Sequence, residues 1–400
     1  MDPGWGRRTV TRGGGCASPH VGAGSRNPAS VRDFPNEPER QADILPDLPA
    51  LRTPHRKATA MSTNVVLIPG DGIGPEVADA AKHVINAAGA DISWTVRHAG
   101  EAALAAGEKQ LLPQSTLDLI AEYGVALKGP CTTPIGTGFR SVNVLLRKTL
   151  DLYAAVRPIR TMAGVGSRYE NVDLVIVREN TEGLYAGIEN EITKGVCTSI
   201  KVATEVASRR IADYAFRYAR ERGRRKVSVF HKANIMKLTD GLFIRCAREV
   251  HDAHYQDIGY EEVIVDAACM KMVQDPTKFD VILAENLYGD ILSDLCAGLV
   301  GGLGVTPGSN IGEKGAVFEA VHGSAPDIAG KGVANPLALI MSGVMMLNWL
   351  SSQRGEPRFR ECATRIRHAY DRALAEKATT RDLGGTLGTM EFAEALVKRL

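Results

Sequence analysis

The feature that most constrains the fold is an alternation of two kinds of segment from residue 64 onward. Short runs rich in valine, isoleucine and leucine, such as "NVVLI" and "VDLVIVREN", alternate with segments of helical period, such as "LTDGLFIRCAREVHDAH". Strands that alternate with helices form parallel sheets covered by helices. The alternation predicts an α/β chain with a largely parallel sheet in two lobes.

The composition argues against two classes of binding partner, nucleic acid and membrane. The chain is 44% hydrophobic and 24% charged, with a formal net charge of +2 and no basic stripe, so we expect no nucleic-acid partner. The longest apolar stretch, "PLALIMSGVMMLNWL", is shorter than the about 20 residues that cross a bilayer, so we expect no membrane partner and a buried or interface helix. Seven scattered cysteines favour free thiols over disulfides or zinc.

Residues 1–60 differ from the rest, because roughly a quarter of them are Gly or Pro and no apolar periodicity persists. They are predicted to be a disordered leader. The first thirty residues carry arginines and are nearly free of acids, which is typical of organellar presequences, but the glycines and prolines interrupt the required amphipathic helix. Met61 precedes the first strand, and if translation starts there, the leader is absent and the protein is cytoplasmic. The alternative is a presequence and the mitochondrial matrix.

The glycine-punctuated turn "PGDGIGPE" follows the first strand and fits neither common nucleotide fingerprint. Its third glycine comes one residue too early for G-x-G-x-x-G, and Gly74, Pro75 and Glu76 stand where a phosphate loop has Gly-Lys-Ser/Thr. The turn is either a plain strand-to-helix connection or a ligand-binding loop. The turn alone leaves both open.

Polar residues that follow strands are the candidate site residues, because ligands bind beyond the carboxyl ends of parallel strands. Asp290 and Asp294 in "GDILSD" lie four apart on a helix predicted to start near Gly289. Their repulsion, ~0.2 to 0.5 kcal/mol when exposed, would be relieved by a hard divalent metal ion. The alternative is that Asp290 caps the helix and Asp294 is solvated.

A second group could bind a small polyanionic acid through guanidinium forks, a hydroxyl and an amide. Each arginine taken alone is more simply a solvated surface residue, so only the set is informative. Its members are Ser141, Asn143, Arg147, Arg157 and Arg178.

A third group could move protons or complete a metal's oxygen shell. Tyr185 and Lys232 can donate or accept protons when a site shifts their pKa, and Asp266 ends the predicted strand "EEVIVDA". Each also has a simpler explanation as a surface or hydrogen-bonded residue.

The fourth candidate is the loop at 322–336, "HGSAPDIAGKGVANP". Its small side chains would let a flat ligand approach the backbone, with His322, Asp327 and Asn335 as polar edges. The alternative is a flexible connection.

In this order, the motifs resemble the isocitrate and isopropylmalate dehydrogenase family of β-decarboxylating dehydrogenases. The resemblance runs from about Val65 to the C-terminus and is carried by "LIPGDGIGPE", "GDILSD" and "HGSAPDIAG". It implies that family's fold, which is not a Rossmann fold. A large domain would comprise 61–152 and 301–400, and a small domain 153–300 would dimerise with the help of a clasp near 184–202.

The resemblance also implies a reaction. The segment "SVNVLLRK" is similar to isocitrate enzymes, whereas isopropylmalate enzymes carry a glutamate and leucines there. The implied activity is NAD-dependent oxidative decarboxylation of isocitrate to 2-oxoglutarate and CO₂. The residues implied to bind substrate are Ser141, Asn143, Arg147, Arg157 and Arg178.

Further roles follow from the same resemblance. Tyr185 and Lys232 would transfer protons, and Asp266, Asp290 and Asp294 would hold Mg²⁺ or Mn²⁺. In the family, the equivalents of Lys232 and Asp266 enter the site from the partner chain. The resemblance therefore implies a homodimer or higher homo-oligomer with shared active sites.

The predicted cofactor is NAD. Asp327 followed by Ile328 matches the NAD-type pattern, because a carboxylate accepts bonds from both ribose hydroxyls and repels a 2′-phosphate. NADP-type members have lysine and tyrosine there. The residues implied to bind cofactor are Thr133, His322, Gly323, Ala325, Asp327, Ile328 and Asn335.

Three alternatives remain open. One is an NAD-dependent dehydrogenase of a related 2-hydroxy acid, such as homoisocitrate or 3-isopropylmalate. Another is a non-catalytic regulatory subunit of a hetero-oligomer, against which the complete set of proton-transfer and metal-binding residues argues. The last is a plain metal- or nucleotide-binding module, which would leave the arginines unexplained.

Overall fold

Strands and helices alternate as the sequence predicts. The computed structural model describes residues 62–133 and 141–400, and the predicted leader lies outside them. The strands are β1 (Thr63–Ile68), β2 (Ile92–Val96), β3 (Val125–Lys128), β4 (Ala154–Arg160), β5 (Asp173–Glu179), β6 (Gly183–Thr193), β7 (Val196–Val202), β8 (Lys226–His231), β9 (Gly259–Ile264), β10 (Val281–Ala284), β11 (Pro307–Ile311) and β12 (Ala316–Ala320).

Helices occupy most of the segments between these strands. They are α1 (Gly74–Ala87), α2 (Glu101–Ala105), α3 (Gln114–Tyr123), α4 (Val142–Thr149), α5 (Glu205–Glu221), α6 (Thr239–His254), α7 (Val265–Gln274), α8 (Asn286–Leu299), α9 (Leu337–Arg354), α10 (Pro357–Ala375) and α11 (Thr389–Val397).

Ten of the twelve strands within the described residues form one sheet, in the order β2-β1-β3-β12-β11-β4-β5-β10-β8-β9. Six neighbouring pairs are parallel, and the three antiparallel pairs, from β12 through β11 and β4 to β5, lie together in the middle. The largely parallel α/β sheet predicted from the sequence is confirmed. The strands at the two edges of this sheet run in opposite directions.

The strand order follows the predicted division of the chain. The strands β1, β2, β3, β11 and β12 come from 61–152 and 301–400, and the other five come from 153–300. A boundary between the two predicted domains would pass between β11 and β4. The described residues nevertheless pack as one compact unit, so the division into domains stays a prediction.

Helix α9 forms part of the core. It contains the apolar stretch "PLALIMSGVMMLNWL", and 12 of its 18 residues are buried. A helix that is apolar on all sides must be enclosed by protein or lipid. Here α9 packs against α1, α10 and the sheet strands β11 and β12. Within 62–133 and 141–400, no helix has the length and apolarity to cross a membrane.

The cysteines within the described residues are free thiols, as expected. Six of the seven lie in the described residues, and none forms a disulfide. Burial raises the pKa of Cys296 to about 12, so its thiol stays protonated at neutral pH.

The segment near 184–202, where the family resemblance implies a clasp, contains a two-stranded hairpin, β6 with β7. It forms its own small sheet and exposes the side chains of Ile188, Ile192, Val196 and Ile200. An isolated pair of strands is marginally stable in water. A second surface that covers these side chains would stabilise the hairpin.

The "PGDGIGPE" turn is packed against two other loops. The buried carboxylate of Asp71 accepts hydrogen bonds from the backbone N–H groups of Ala102 (2.7 Å) and Thr132 (2.6 Å). The backbone N–H of Ile73 donates to the carbonyl of Ser324 (2.8 Å). The turn thereby joins the loop after β3 to the loop after β12.

Gly72 is required in this turn. Its φ is +60°, and a Cβ there would lie 2.0 Å from the carbonyl oxygen of Ser324. We expect Gly72→Ala to lower the free energy of unfolding by about 2 kcal/mol or more, measured from the urea midpoint, because it adds a steric clash to backbone strain.

The matched control is Gly107→Ala. Gly107 also has a positive φ, +89°, but no atom lies within 4 Å of an added Cβ. Strain alone should cost about 1 kcal/mol. Equal losses in the two variants would mean that the contact with Ser324 does not contribute.

Candidate active site

A row of residues crosses the middle of the sheet. The strand register pairs Lys128 of β3 with Glu319 of β12, and Glu319 with Gly308 of β11. The antiparallel pairing of β11 with β4 continues this row to Arg157. Residues opposite one another on neighbouring strands project to the same face. Two cations and one carboxylate therefore lie side by side on that face.

Glu319 is the centre of a buried ion cluster. One carboxylate oxygen, Oε2, lies 2.8 Å from Lys128 Nζ; the other, Oε1, lies 3.0 Å from Arg147 Nη2 and 3.6 Å from Arg157 Nη2. Burial alone would raise the pKa of Glu319, but these three cations hold it well below its usual range. Glu319 is therefore ionised at neutral pH.

Sequence reasoning did not single out Lys128 or Glu319. Each is the one charged residue in a short strand, and every residue of these two strands, "VALK" and "AVFEA", is buried. A buried charge is costly unless it is paired. A lone charge within a wholly buried strand was thus the signal that could have identified both residues.

Arg157 reaches Glu319 across the intervening strand. A Cβ on Gly308 would lie 1.5 Å from Arg157 Nη1, so only glycine leaves room for the guanidinium. Arg157 Nε and Nη1, together with Arg147 Nε, are buried and have no hydrogen-bond partner among the described residues. Because unpaired buried donors are costly, these atoms mark a place for an anionic group. Burial lowers the pKa of Arg157 to about 10, so it remains charged at neutral pH.

Arg178 lies beside this cluster, under α8. Its Nη2 donates to Asn286 Oδ1 (2.6 Å), and its Nη1 forms an ion pair with Asp290. A Cβ on Gly289 would lie 2.5 Å from Arg178 Cγ, so this helical glycine makes room for the arginine. Burial and then the nearby charge of Arg147 lower the pKa of Arg178.

The predicted carboxylate pair lies on α8. This helix begins at Asn286, not near Gly289 as expected, because residues 286–288 already belong to its first turn. Burial and then the charge of Asp290 raise the pKa of Asp294. The Tyr185 hydroxyl donates a hydrogen bond to Asp290. Two like charges one helical turn apart fit a divalent cation, which would relieve their repulsion.

Lys232 and Asp266 form a separate pair. Asp266 lies in the first turn of α7, not at a strand end as expected, because β9 stops at Ile264. Its carboxylate pairs with Lys232 Nζ. Nowhere in the part of the chain that the structure describes do three His, Cys, Asp or Glu side chains gather as a metal site. One chain therefore does not bring Asp266 to Asp290 and Asp294.

Helix α4 carries the other predicted substrate residues. Ser141 precedes its first residue, Val142, whose backbone N–H donates to Thr133 Oγ1 (3.2 Å). Asn143 and Arg147 are four residues apart and thus share a helix face. Asn143 Oδ1 is buried and, like the free arginine donors, has no partner among the described residues.

The first residues of the loop at 322–336, from His322 to Ala325, form an accessible rim. His322 Nδ1 contacts the carbonyl of Gly323 (3.0 Å), and its buried Nε2 has no partner among the described residues. Burial lowers the pKa of His322, so its ring is neutral at pH 7. Ala325 has a left-handed φ of +38°, which turns the chain at the rim.

Beyond this rim, the loop is anchored at its far end. Asp327 is exposed within the short 3₁₀ turn Pro326–Ile328. Both ends of the Asn335 side chain are engaged: Nδ2 donates to Asp382 (2.9 Å), and Oδ1 accepts from the backbone N–H of Leu337 (2.9 Å). Asp327 is therefore free to meet a ligand, whereas Asn335 fixes the loop.

Comparison with known families gives one match over most of the chain. The sequence profile described as isocitrate/isopropylmalate dehydrogenase matches residues 64–396. The solved structure of isocitrate dehydrogenase from Methylococcus capsulatus superposes with a TM-score of 0.79 and 50% identity, covering 84% of this chain and 98% of that chain.

Individual relatives are named as parts of the mitochondrial NAD isocitrate dehydrogenase. Catalytic subunit 5 of Arabidopsis thaliana is 52% identical over 336 residues, which cover 84% of this chain and 87% of that protein. A regulatory subunit of Dictyostelium discoideum is 49% identical over 348 residues, with coverages of 86% and 94%. The alpha subunit of Homo sapiens is 49% identical over 338 residues, with coverages of 84% and 90%.

Two glycines of α8 provide a test of whether Arg178 packs against this helix at Gly289. We expect Gly289→Ala to destabilise the fold by about 1 to 3 kcal/mol, because the new methyl group must displace the arginine stem. In Gly298→Ala nothing lies within 4 Å of the new Cβ, so better helix propensity should stabilise the fold by up to about 1 kcal/mol. Urea unfolding of both variants would measure these changes, and shifts of the same sign would contradict the packing seen here.

Proposed function

The chain belongs to the isocitrate/isopropylmalate dehydrogenase family, and we propose that it catalyses the metal-dependent oxidative decarboxylation of isocitrate to 2-oxoglutarate and CO₂ with reduction of NAD. The observation that carries this proposal is the set of buried guanidinium donors of Arg147 and Arg157 that have no partner within 62–133 and 141–400 and lie beside Asp290 and Asp294. Such donors suit a small polycarboxylate, and the adjacent carboxylates suit a divalent cation.

The polar residues of α4 support isocitrate, and not isopropylmalate, as the substrate. Ser141 and Asn143 stand where isopropylmalate enzymes have an apolar pocket. Asn143 Oδ1, which is unpaired as far as the described residues go, supports a polar ligand at this helix. An apolar substrate side chain would leave this oxygen buried without a partner, which is unfavourable. Isocitrate, with its third carboxylate, therefore fits better than isopropylmalate.

The metal and NAD supply chemistry that side chains cannot. Asp290 and Asp294 would hold Mg²⁺ or Mn²⁺, with Asp266 from a second copy of the chain. When bound, the divalent ion withdraws electron density from the substrate oxygens, and NAD accepts the hydride.

The side chains of the protein position the substrate and move its protons. Arg147, Arg157 and Arg178 fix the carboxylates, and Lys232 Nζ takes the proton of the substrate hydroxyl. Burial and then the hydrogen bond to Asp290 raise the pKa of Tyr185, so its hydroxyl is protonated at neutral pH. Tyr185 can therefore supply the proton that replaces the departing CO₂.

NAD would lie along the loop at 322–336. The free Nε2 of the neutral His322 ring is available as a hydrogen-bond acceptor, and the exposed Asp327 can accept bonds from both ribose hydroxyls. Ile328 adds no positive charge for a 2′-phosphate. This combination supports NAD over NADP.

The complete site needs two chains. Lys232 and Asp266 pair with each other and lie outside the cluster that contains Tyr185 and Asp290, and the exposed β6–β7 hairpin offers a surface for a second copy. We therefore assign a homodimer or higher homo-oligomer with shared active sites. The relative named as regulatory makes a hetero-oligomer the second candidate.

We propose a mitochondrial location on the basis of the relatives' names, in place of the cytoplasmic location expected if translation starts at Met61. The names of the relatives from Arabidopsis, Dictyostelium and Homo sapiens place those proteins in mitochondria. By the same assignment, this chain acts in the mitochondrial matrix, with residues 1–60 as a presequence, and the cytoplasm becomes the alternative.

The activity is tested with the purified full chain, Mn²⁺ and isocitrate, by following NADH absorbance. We expect turnover with NAD and isocitrate, and little with NADP or isopropylmalate. Asp327→Lys combined with Ile328→Tyr should lower kcat/KM for NAD by about 10-fold or more and raise it for NADP. Glu361→Lys, an exposed change of the same charge, is the control. Turnover that favours NADP in the unaltered chain would contradict the cofactor assignment.

Shared sites are tested by mixing two inactive variants, Tyr185→Phe and Lys232→Met. If each site takes Tyr185 from one chain and Lys232 from the other, random mixing restores about a quarter of the original activity, because one dimer in two carries one intact site. Each variant refolded alone is the control. If the mixture stays inactive while the unaltered protein turns over, the site lies within one chain.

A further inference from the structure

We propose that Glu319 is a positioning residue for isocitrate binding, holding Arg147, Arg157 and Lys128 in register so that their remaining donors face the substrate. This inference rests on the proposed function and adds a residue outside the predicted site. The Glu319 carboxylate would contribute to substrate binding through the three cations, without touching the substrate itself.

Most of the acceptor capacity of the buried Glu319 carboxylate is used within the protein. Besides its three cations, its Oε1 accepts a hydrogen bond from Asn310 Nδ2 (2.7 Å), and Asn310 in turn accepts one from Asn180 Nδ2 (3.0 Å). Oε1 thus accepts from Arg147 and Asn310, Oε2 contacts Lys128, and Glu319 is only 3% exposed. Glu319 therefore acts through its neighbours and not by binding a ligand itself.

The three cations need this anion in order to lie so close together. Lys128 and Arg157 are almost wholly buried, at 1% and 3% exposure, and Arg147 is buried as well. Without a counter-charge, buried cations repel one another, and each carries a large desolvation penalty. Glu319 thus determines where Arg147 and Arg157 point, including the Nε and Nη1 atoms that have no partner in the part of the chain that the structure describes.

The net charge of the site also supports a role for Glu319 in isocitrate binding. Lys128, Arg147, Arg157 and Arg178 carry four positive charges, and Glu319, Asp290 and Asp294 carry three negative charges, which leaves one net positive charge. A tricarboxylate with a divalent cation carries one net negative charge. Glu319 therefore makes the site complementary to that pair, and its loss would leave an excess of positive charge.

The test compares Glu319→Gln with a matched control, Glu179→Gln. Glu179 is equally buried, at 2%, but its carboxylate accepts only from the turn at Thr181 and Glu182 among its hydrogen bonds. We expect Glu319→Gln to raise KM for isocitrate by about 30-fold or more, as the loss of a buried charge partner does. KM for NAD should stay within about two-fold in both variants, and KM for isocitrate should do so in the control.

A charge rescue separates positioning from general loss of structure. Adding Lys128→Met to Glu319→Gln removes one cation with the anion and restores the net charge. If Glu319 acts by holding the cations, the double variant recovers part of the affinity for isocitrate. If Glu319 is merely structural, removing two buried groups is worse than removing one, and that outcome overturns the proposal.

Gly308→Ala provides a variant that leaves every charge in place. Its Cβ would collide with Arg157 Nη1 and move the guanidinium away from Glu319. We expect the same selective rise in KM for isocitrate, whereas Gly166→Ala, where nothing lies within 4 Å, should have no effect. If Glu319→Gln fails to fold, an unchanged KM in Gly308→Ala still overturns the proposal.

Calorimetric titration of isocitrate with Mn²⁺, without NAD, separates this inference from the proposed function. If the unaltered protein does not bind isocitrate, the proposed function is wrong. If the unaltered protein and Glu319→Gln bind isocitrate equally well, the proposed function stands and the role of Glu319 is overturned. A rise confined to KM for NAD would assign Glu319 to the cofactor and also overturn it.

Discussion

The strand reversal at the centre of the sheet is the constraint on which the rest of the site depends. In a wholly parallel sheet, the carboxyl ends of all strands would meet at one edge. Here β11 and β4 are antiparallel to their neighbours, and their register puts a lysine, a glutamate, a glycine and an arginine in one row across four strands. The geometry of the anion-binding groups is therefore set by backbone hydrogen bonds. Helices α4 and α8 then add Arg147 and the two aspartates from the same face.

Much of this arrangement was predictable from the sequence. Strand positions followed from β-branched runs, and the arginines that the sequence grouped do lie together around Glu319 and Asp290. The sequence predicts the start of α8 too late, because glycine is typical of a helix boundary, whereas in the structure Gly289 lies inside the helix and leaves room for Arg178. Lys128 and Glu319 were missed, because single-residue patterns do not reveal which charges are buried next to one another.

Other features lie beyond what a single sequence can determine. The two carboxylates of α8 and the Lys232–Asp266 pair are separate within one chain, so their relation depends on how a second copy docks. Periodicity fixes which residues face one another within an element but carries no information on a symmetry axis. The hairpin β6–β7 shows the same limit. The family resemblance implies a clasp there, and the exposed apolar side chains of the hairpin indicate only that some surface covers them.

The row of Lys128, Glu319, Gly308 and Arg157 across the sheet has a consequence for the way in which the protein would lose activity. Central strands exchange their amide hydrogens with solvent only when the whole domain opens, so groups fixed to them keep their spacing until the chain melts. Residues contributed by a second copy would depart as soon as the copies separate, a process governed by concentration and not by temperature alone. Inactivation by dilution would then leave a well-folded protein whose anion-binding half is intact, and reconcentration would recover it.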